Sequence, residues 1–191
     1  MTLIARLAGA LALVLLAGCA PGSVTTTHVD YESGYSPYRF SYAAGGRDLR
    51  VVIRGNPTSA QQEEFDRAVI AAMQGKNWGP QTNFTTRPSE SARKNYRVVM
   101  LFSGKRYAGG NALCGDLDGV DLAPVDGRVR LQAAFCQKER PLTQLQVTVD
   151  GVTSPADPRL KRMVTAAVLE LFPPIDDTRD DDCPRRLPGN C

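Results

Sequence analysis

Close to its C-terminal end, the chain carries a stripe of apolar residues at helical spacing. Six apolar residues recur three or four positions apart: Leu160, Met163, Val164, Ala167, Val168 and Leu171. This spacing predicts an amphipathic α-helix with one apolar face, which Asp157 can cap and which Pro158 can open. A helix of this kind is stable in water only when another element covers its apolar face. The rest of the chain must therefore supply a partner layer.

A second amphipathic helix is predicted nearer the middle of the chain. Thr58 or Ser59 can cap this helix, and Gly75 ends it. Its apolar residues again lie on one face: Phe65, Val69, Ala72 and Met73. Because each helix has a single apolar face, we expect both to pack on the same side of a sheet.

Five segments have the composition or the alternation of β-strands: residues 37–44, 49–55, 95–103, 128–137 and 143–151. In the first segment Tyr38, Phe40 and Tyr42 alternate with other residues, so they would share one face of an edge strand. That face either packs on the core or forms a platform that stacks the sugar rings of an envelope glycan. The order of elements predicts one α+β domain over residues 37–174. It would have a mostly antiparallel sheet with the two amphipathic helices on one face.

The N-terminal region has the features of a secretory signal peptide. One basic residue, Arg6, precedes an uncharged stretch over residues 7–16 that is too short to span a bilayer. The stretch ends in four residues that resemble the lipobox of bacterial lipoproteins: Leu16-Ala17-Gly18-Cys19. The resemblance implies a signal peptide over residues 1–18, cleavage before Cys19, and a diacylglycerol group on the Cys19 thiol. The new amine of such proteins is usually acylated as well.

The lipobox resemblance also implies a location. An aspartate after the lipidated cysteine retains lipoproteins at the inner membrane of many Gram-negative bacteria, whereas this chain has Ala20 there. The resemblance thus implies an outer-membrane lipoprotein that faces the periplasm and contacts the membrane through its lipid. The predicted elements that follow resemble those of small uncharacterised Gram-negative envelope lipoproteins, which bring no catalytic residues to carry over.

The cysteine count agrees with lipidation of Cys19. The chain has five cysteines, and setting Cys19 aside leaves an even number for an oxidising compartment: Cys114, Cys136, Cys183 and Cys191. Three pairings of four cysteines are possible. The spacing favours one disulfide between the first two within the domain and another between the last two in the tail.

Three segments lack the apolar periodicity of helices and strands. Residues 19–36 are interpreted as the lipidated cysteine and a flexible tether, and residues 175–191 as a disordered, acidic, proline-containing tail. The glycine-rich connection over residues 103–127 is longer than most connections in compact domains. It either holds a short extra strand or is functional, and it contains three candidate contact residues: Lys105, Arg106 and Tyr107.

Composition and motifs exclude several function classes. The formal net charge is +3, without a run of five basic residues, so no nucleic-acid partner is expected. The single histidine, His28, falls in the predicted tether, so the domain cannot build a Ser-His-Asp or Cys-His site. Glu139 could act as a lone general acid, but Lys138 and Arg140 beside it would lower its pKa, opposite to what that role needs. We therefore expect no enzyme activity.

An acidic stretch in the long connection is a candidate metal site. It contains four aspartates: Asp116, Asp118, Asp121 and Asp126. Their spacing departs from that of a calcium loop, and the closing glutamate is missing. We therefore expect a solvated acidic loop, with a structural calcium as the alternative. No cofactor and no catalytic metal are expected.

These features lead to a functional expectation. The chain is interpreted as a non-enzymatic, membrane-anchored lipoprotein that binds or braces another component of the cell envelope, either a protein or peptidoglycan. The alternative is a module that binds or acts on peptidoglycan. Its contact surfaces are expected on the aromatic segment over residues 38–42 and on the connection that follows Phe102.

Overall fold

A computed structural model describes residues 23–123 and 127–174 of the chain. Six strands form one sheet: β1 Thr25–Tyr31, β2 Asp48–Arg54, β3 Asn83–Thr85, β4 Tyr96–Phe102, β5 Arg128–Gln137 and β6 Arg140–Asp150. Four helices accompany it: α1 Pro37–Ala44, α2 Gln62–Met73, α3 Gly109–Cys114 and α4 Pro158–Leu171. Within the described ranges, none of the helices has the length and apolarity that a membrane span needs.

The sheet has the strand order β1-β6-β5-β4-β2-β3 and is mixed. The first three pairings in this order are antiparallel, whereas β4 pairs with β2, and β2 with β3, in parallel. The prediction of a mostly antiparallel sheet was therefore wrong. The reason is the α2 crossover, which returns the chain to the end of the sheet where β2 began, so that β3 and β4 run in the same direction as β2.

Helices α1, α2 and α4 cover one face of the sheet, which we call the main core face and which includes Val98, Met100 and Phe102 of β4. The apolar stripes predicted for α2 and α4 are buried there. Aromatic rings fill the centre: the Phe172 centroid lies 4.1 Å from that of Phe40 and 5.3 Å from that of Phe135. The prediction that the two amphipathic helices share one face is confirmed.

Helix α3 lies on the opposite face, which we call the α3 face and which includes Val99 and Leu101 of β4. A disulfide between Cys114 of α3 and Cys136 of β5 attaches the helix to the sheet. This pairing confirms the one favoured by spacing, whereas Cys183 and Cys191 lie outside the described residues. The expected total of two helices was too low, because α1 and α3 were not anticipated.

The aromatic segment predicted as a strand is helix α1. The side chain of Ser36 accepts a hydrogen bond from the backbone N–H of Arg39 at 3.1 Å, and Pro37 occupies the first turn. Both are start signals of a helix. They outweigh an alternation of aromatic residues that extends over only five positions.

Strand β1 lies inside the segment that was interpreted as a flexible tether. It pairs with β6 in antiparallel fashion, Thr25 opposite Thr148 and Tyr31 opposite Thr143. Most of its side chains are exposed, because it is an edge strand. The tether prediction was wrong for these residues, since a polar edge strand has little apolar periodicity to detect.

Candidate binding groove

A groove of about 370 Å³ opens at the end of the sheet where β4 begins and β5 ends. It lies between helix α1 and the connection that precedes β4. Seven residues line it: Tyr42, Ala92, Arg93, Lys94, Asn95, Tyr96 and Gln137. These residues come from three separate parts of the sequence, so the site exists only in the folded chain.

Backbone hydrogen bonds shape one wall of the groove. The Tyr96 N–H donates to the carbonyl of Arg93 at 2.9 Å, which makes a tight turn before β4. The Lys138 N–H donates to the carbonyl of Asn95 at 2.7 Å. Lys138 lies in the turn between β5 and β6 and has a φ of 55°, the left-handed conformation that such tight hairpins use. The turn before β4 is therefore held against that hairpin.

Two tyrosines and an arginine form the aromatic side of the groove. The guanidinium carbon of Arg93 lies 4.1 Å from the ring centroid of Tyr42, a cation–π contact. The rings of Tyr42 and Tyr96 form an edge-to-face pair with centroids 6.2 Å apart. Tyr96 is in turn stacked on the buried Phe135 at 5.9 Å. Tyr42 keeps 46% of its surface exposed, so it remains available to a ligand.

A chain of side-chain hydrogen bonds runs beside these rings. Arg39 Nη1 donates to Gln137 Oε1 at 2.7 Å, and Gln137 Nε2 donates to the Tyr96 hydroxyl at 3.0 Å. These contacts fix the orientations of all three side chains. Within the described part of the chain, Nε of Arg93 is buried and has no hydrogen-bond partner, so the Tyr42 ring is what positions this guanidinium.

The electrostatic character of the groove is cationic. Arg93 and Lys94 line it and Arg39 adjoins it, whereas none of the seven lining residues is acidic. Among the described residues, no carboxylate forms an ion pair with any of these three cations. Fixed cations, amide groups and tyrosines together make a set that can hold a polar, negatively charged ligand.

The predicted aromatic surface is divided by helix α1. Phe40 points into the core with 2% of its surface exposed, whereas Tyr38 is 82% exposed. Tyr38 and Tyr42 are four positions apart, so they lie on the same side of the helix, and Tyr42 reaches the groove. Four further groove residues were not predicted from the sequence: Arg93, Lys94, Tyr96 and Gln137. The adjacent Arg93-Lys94 pair was visible, but nothing in the sequence connects it to Tyr42.

The second predicted surface, around Lys105, Arg106 and Tyr107, lies on the α3 face. Gln132 fixes it there by donating to the carbonyl of Arg106 at 2.7 Å and by accepting from the N–H of Ala108 at 2.6 Å. The structure therefore does not bring together the two surfaces that were expected to make contacts. Helix α1 covers the main core face, and this loop covers the other.

Tyr107 anchors the same loop to the edge of the sheet. Its ring stacks on that of His28 with centroids 4.3 Å apart, and its hydroxyl donates to Gln144 at 3.3 Å. His28 was expected to be solvated in a tether, but it contacts the loop from β1. Burial, and to a smaller extent the charge of Asp30, raises the pKa of Tyr107.

The acidic stretch makes a turn of its own. Asp116 accepts a hydrogen bond from the Gly119 N–H at 3.1 Å. Among the described residues, no three His, Cys, Asp or Glu side chains approach closely enough to hold a metal ion. Asp126 lies outside those residues. Glu139 is exposed in the turn between β5 and β6, where water rather than an apolar pocket surrounds its carboxylate.

The residues of the lipobox motif also lie outside the described ranges. No protein-family model matches the chain, and no curated protein matches it. Among solved structures, it is similar to a dodecamer of a PelC point variant from Paraburkholderia phytofirmans, with a TM-score of 0.38 and 11% sequence identity. The alignment covers 80% of this chain and 100% of that one. A TM-score this low supports no conclusion about fold or function.

Proposed function

We propose that this protein is a non-enzymatic lipoprotein, anchored in the outer membrane and facing the periplasm, which binds or braces another envelope component through the groove. Three features support the proposal: the lipobox resemblance around Cys19, the cationic groove beside Tyr42, and the position of the groove relative to the anchor. The last of these carries the argument, because it sets which part of the domain can reach a partner.

The anchored end and the groove lie at opposite ends of the sheet. Thr25, six residues after Cys19, begins β1 and is paired with Thr148, which is itself paired with Arg130. Six extended residues reach about 20 Å at most, so lipidation of Cys19 holds this end close to the bilayer. Gln137 lies seven residues further along β5, roughly 23 Å away. The groove therefore lies at the end of the sheet farther from the anchored residue.

A peptidoglycan-binding module is the second candidate function. The observation that favours it is the half-exposed Tyr42 ring in the groove, with the exposed Tyr38 one helical turn away on α1, since aromatic rings pack against the apolar faces of sugars. Binding to peptidoglycan and binding to a protein partner would use the same end of the domain. The two binding modes are distinguished by which envelope component, protein or peptidoglycan, is crosslinked to that end of the domain.

The experiment is photo-crosslinking in living cells, with a photoreactive phenylalanine placed at Tyr38. A matched control places the same group at Leu122, which is 43% exposed and lies in the loop on the α3 face. We expect one envelope component to crosslink at Tyr38 and not at Leu122. A protein product indicates a bracing or assembly role, and sacculus fragments indicate the peptidoglycan alternative. Identical products at the two positions would refute the groove end as the contact surface.

The anchor is tested in the same cells with Cys19→Ser, which removes the thiol that lipidation requires. We expect this variant to move from the membrane fraction to the soluble fraction and to lose the crosslink at Tyr38. If the unaltered protein is recovered in the soluble fraction, the proposed anchor is wrong.

A further inference from the structure

We propose that the groove recognises a carboxylate carried by an envelope glycan, with Arg93 and Lys94 binding the carboxylate and Tyr38 and Tyr42 contacting the sugar. The inference rests on the proposed function, because it names the ligand class of the same groove. Three features of the site support it: positive charge without an ion-pair partner among the described residues, preorganisation of that charge, and exposed aromatic surface on α1.

The positive charge at the groove is not neutralised within the fold. Arg93 and Lys94 line the groove, and Arg39 adjoins it through its hydrogen bond to Gln137. Among the described residues none of these three cations forms an ion pair with a carboxylate, as is also true of most Arg and Lys side chains in the same ranges. Like charges that converge on a concave surface raise the local concentration of anions. An arginine fork binds a carboxylate, as it does a phosphate, in bidentate geometry.

The two arginines are oriented before any ligand arrives. Arg39 is held by its 2.7 Å hydrogen bond to Gln137, and Arg93 by its contact with the Tyr42 ring at 4.1 Å. A side chain that is already ordered loses less conformational entropy on binding. Lys94 is exposed and can approach the same anion from the rim.

The aromatic surface favours a sugar over a bare anion. Tyr38 and Tyr42 are 82% and 46% exposed on one side of α1, and a tyrosine presents both an apolar ring and a hydroxyl. The groove volume of about 370 Å³ is at the lower end of small-ligand sites. The phosphates of the anchoring leaflet are poor candidates, because the groove lies at the end of the sheet remote from Thr25.

The test is calorimetric titration of the detergent-solubilised, full-length lipoprotein with three probes. Tetragalacturonate carries carboxylates on its sugar rings, a disaccharide-tetrapeptide of peptidoglycan carries them on its stem peptide, and chitotetraose is the neutral control. We expect at least one acidic probe to bind about tenfold more tightly than chitotetraose. Its affinity should fall as salt is added, because exposed charges are screened.

Variants connect the binding to the groove. Lys94→Gln and Arg93→Gln should each weaken binding of the acidic probe, by about tenfold for the arginine. Arg67→Gln removes an exposed arginine of α2 and should leave the affinity unchanged. Tyr38→Ala, at a side chain that is 82% exposed, should weaken binding without lowering the melting temperature. Lys94 and Tyr38 are exposed, so their variants should fold normally. The inference can therefore be tested with them even if the Arg93 variant misfolds.

Each outcome has a defined meaning. Binding of tetragalacturonate alone identifies an acidic polysaccharide, and binding of the muropeptide alone identifies the stem peptides of peptidoglycan; either supports the inference. Equal affinity for chitotetraose, or equal losses in Lys94→Gln and Arg67→Gln, overturns it. Absence of binding to all three probes also overturns it. In that case a protein crosslinked at Tyr38 would still support the proposed function.

Discussion

The main core face and the α3 face of the same sheet are held by different kinds of contact. On the main core face, three helices bury a continuous apolar cluster with stacked phenylalanine rings at its centre. On the α3 face, one helix of six residues covers a cluster of six buried residues within the described ranges. There the attachment combines a disulfide, the hydrogen bonds of Gln132, and the contacts of Tyr107 with His28 and Gln144.

This difference indicates two separate sources of stability. The stabilisation from apolar burial increases with the area buried and depends little on the identity of any one contact. A small cluster buries too little area to hold a loop of this length, so covalent and directional contacts must replace it. The following changes test that comparison, beginning with the one expected to cost the most.

The largest effect is expected from Phe135→Ala on the main core face. Phe135 contacts the rings of Phe40, Tyr96 and Phe172 with centroids 5.3 to 5.9 Å away. Removing its ring leaves a cavity among them and should lower the free energy of unfolding by about 3–5 kcal/mol, measured by urea denaturation. Tyr38→Ala is the exposed aromatic control and should change it by less than about 0.5 kcal/mol. A loss of under about 1 kcal/mol for Phe135→Ala would contradict the role given to this cluster.

The second effect concerns the disulfide on the α3 face. Cys114 and Cys136 are 22 positions apart, so replacing both with alanine frees a loop whose closure stabilises the fold by about 3 kcal/mol. The loss is read from urea denaturation without reductant. Adding dithiothreitol to the unaltered protein should produce a similar loss, and adding it to the double variant reports any contribution of Cys183 and Cys191. If the double variant matches the unaltered protein, the disulfide is not needed to hold α3.

Gln132 provides the sharper test of directional contacts. Its side chain is fully buried and bonds the loop at Arg106 and Ala108. Gln132→Ala leaves these backbone groups unpaired and should cost about 1–3 kcal/mol, with faster hydrogen exchange at the Ala108 amide. Gln146→Ala is the matched control on β6, where the side chain makes only a 3.4 Å contact with Thr27. Equal losses in the two variants would show that the loop does not depend on Gln132.

The same contrast explains what could be predicted from the sequence. The apolar stripes of α2 and α4 and the alternation of β5 and β6 are periodic, whereas β2 and β4 were recognised from their apolar, β-branched composition. The cysteine spacing also predicted the Cys114–Cys136 bond. The parallel pairing of β2 with β4 was missed, because local periodicity does not determine strand direction.

The elements that were predicted wrongly lie where the periodicity of the sequence is weak or misleading. Helix α1 was predicted as a strand from the alternation of Tyr38, Phe40 and Tyr42, although Ser36 and Pro37 carried the opposite signal. Strand β1 is polar on both sides, and α3 is too short to show a period. The groove depends on the first of these errors, because Tyr42 meets Arg93 only when α1 is a helix and the turn before β4 is in place.

The smallest effect is expected at the start of α4, where packing on the main core face already holds the helix. Asp157 accepts a hydrogen bond from the Arg159 N–H at 2.9 Å, so Asp157→Ala should cost about 1 kcal/mol. Arg159 also bonds the carboxylate through its side chain and holds the pKa of Asp157 well below its ordinary value near 3.8. The stabilisation is therefore complete above about pH 5, and it is lost as the pH falls through about 4 and below.

Asp157→Asn should differ most from the unaltered protein at about pH 7 and approach it at about pH 2 in urea denaturation, whereas the exposed Asp118→Asn should match it at both. A pH-independent difference for Asp157→Asn would show that the cap acts through its hydrogen bond alone.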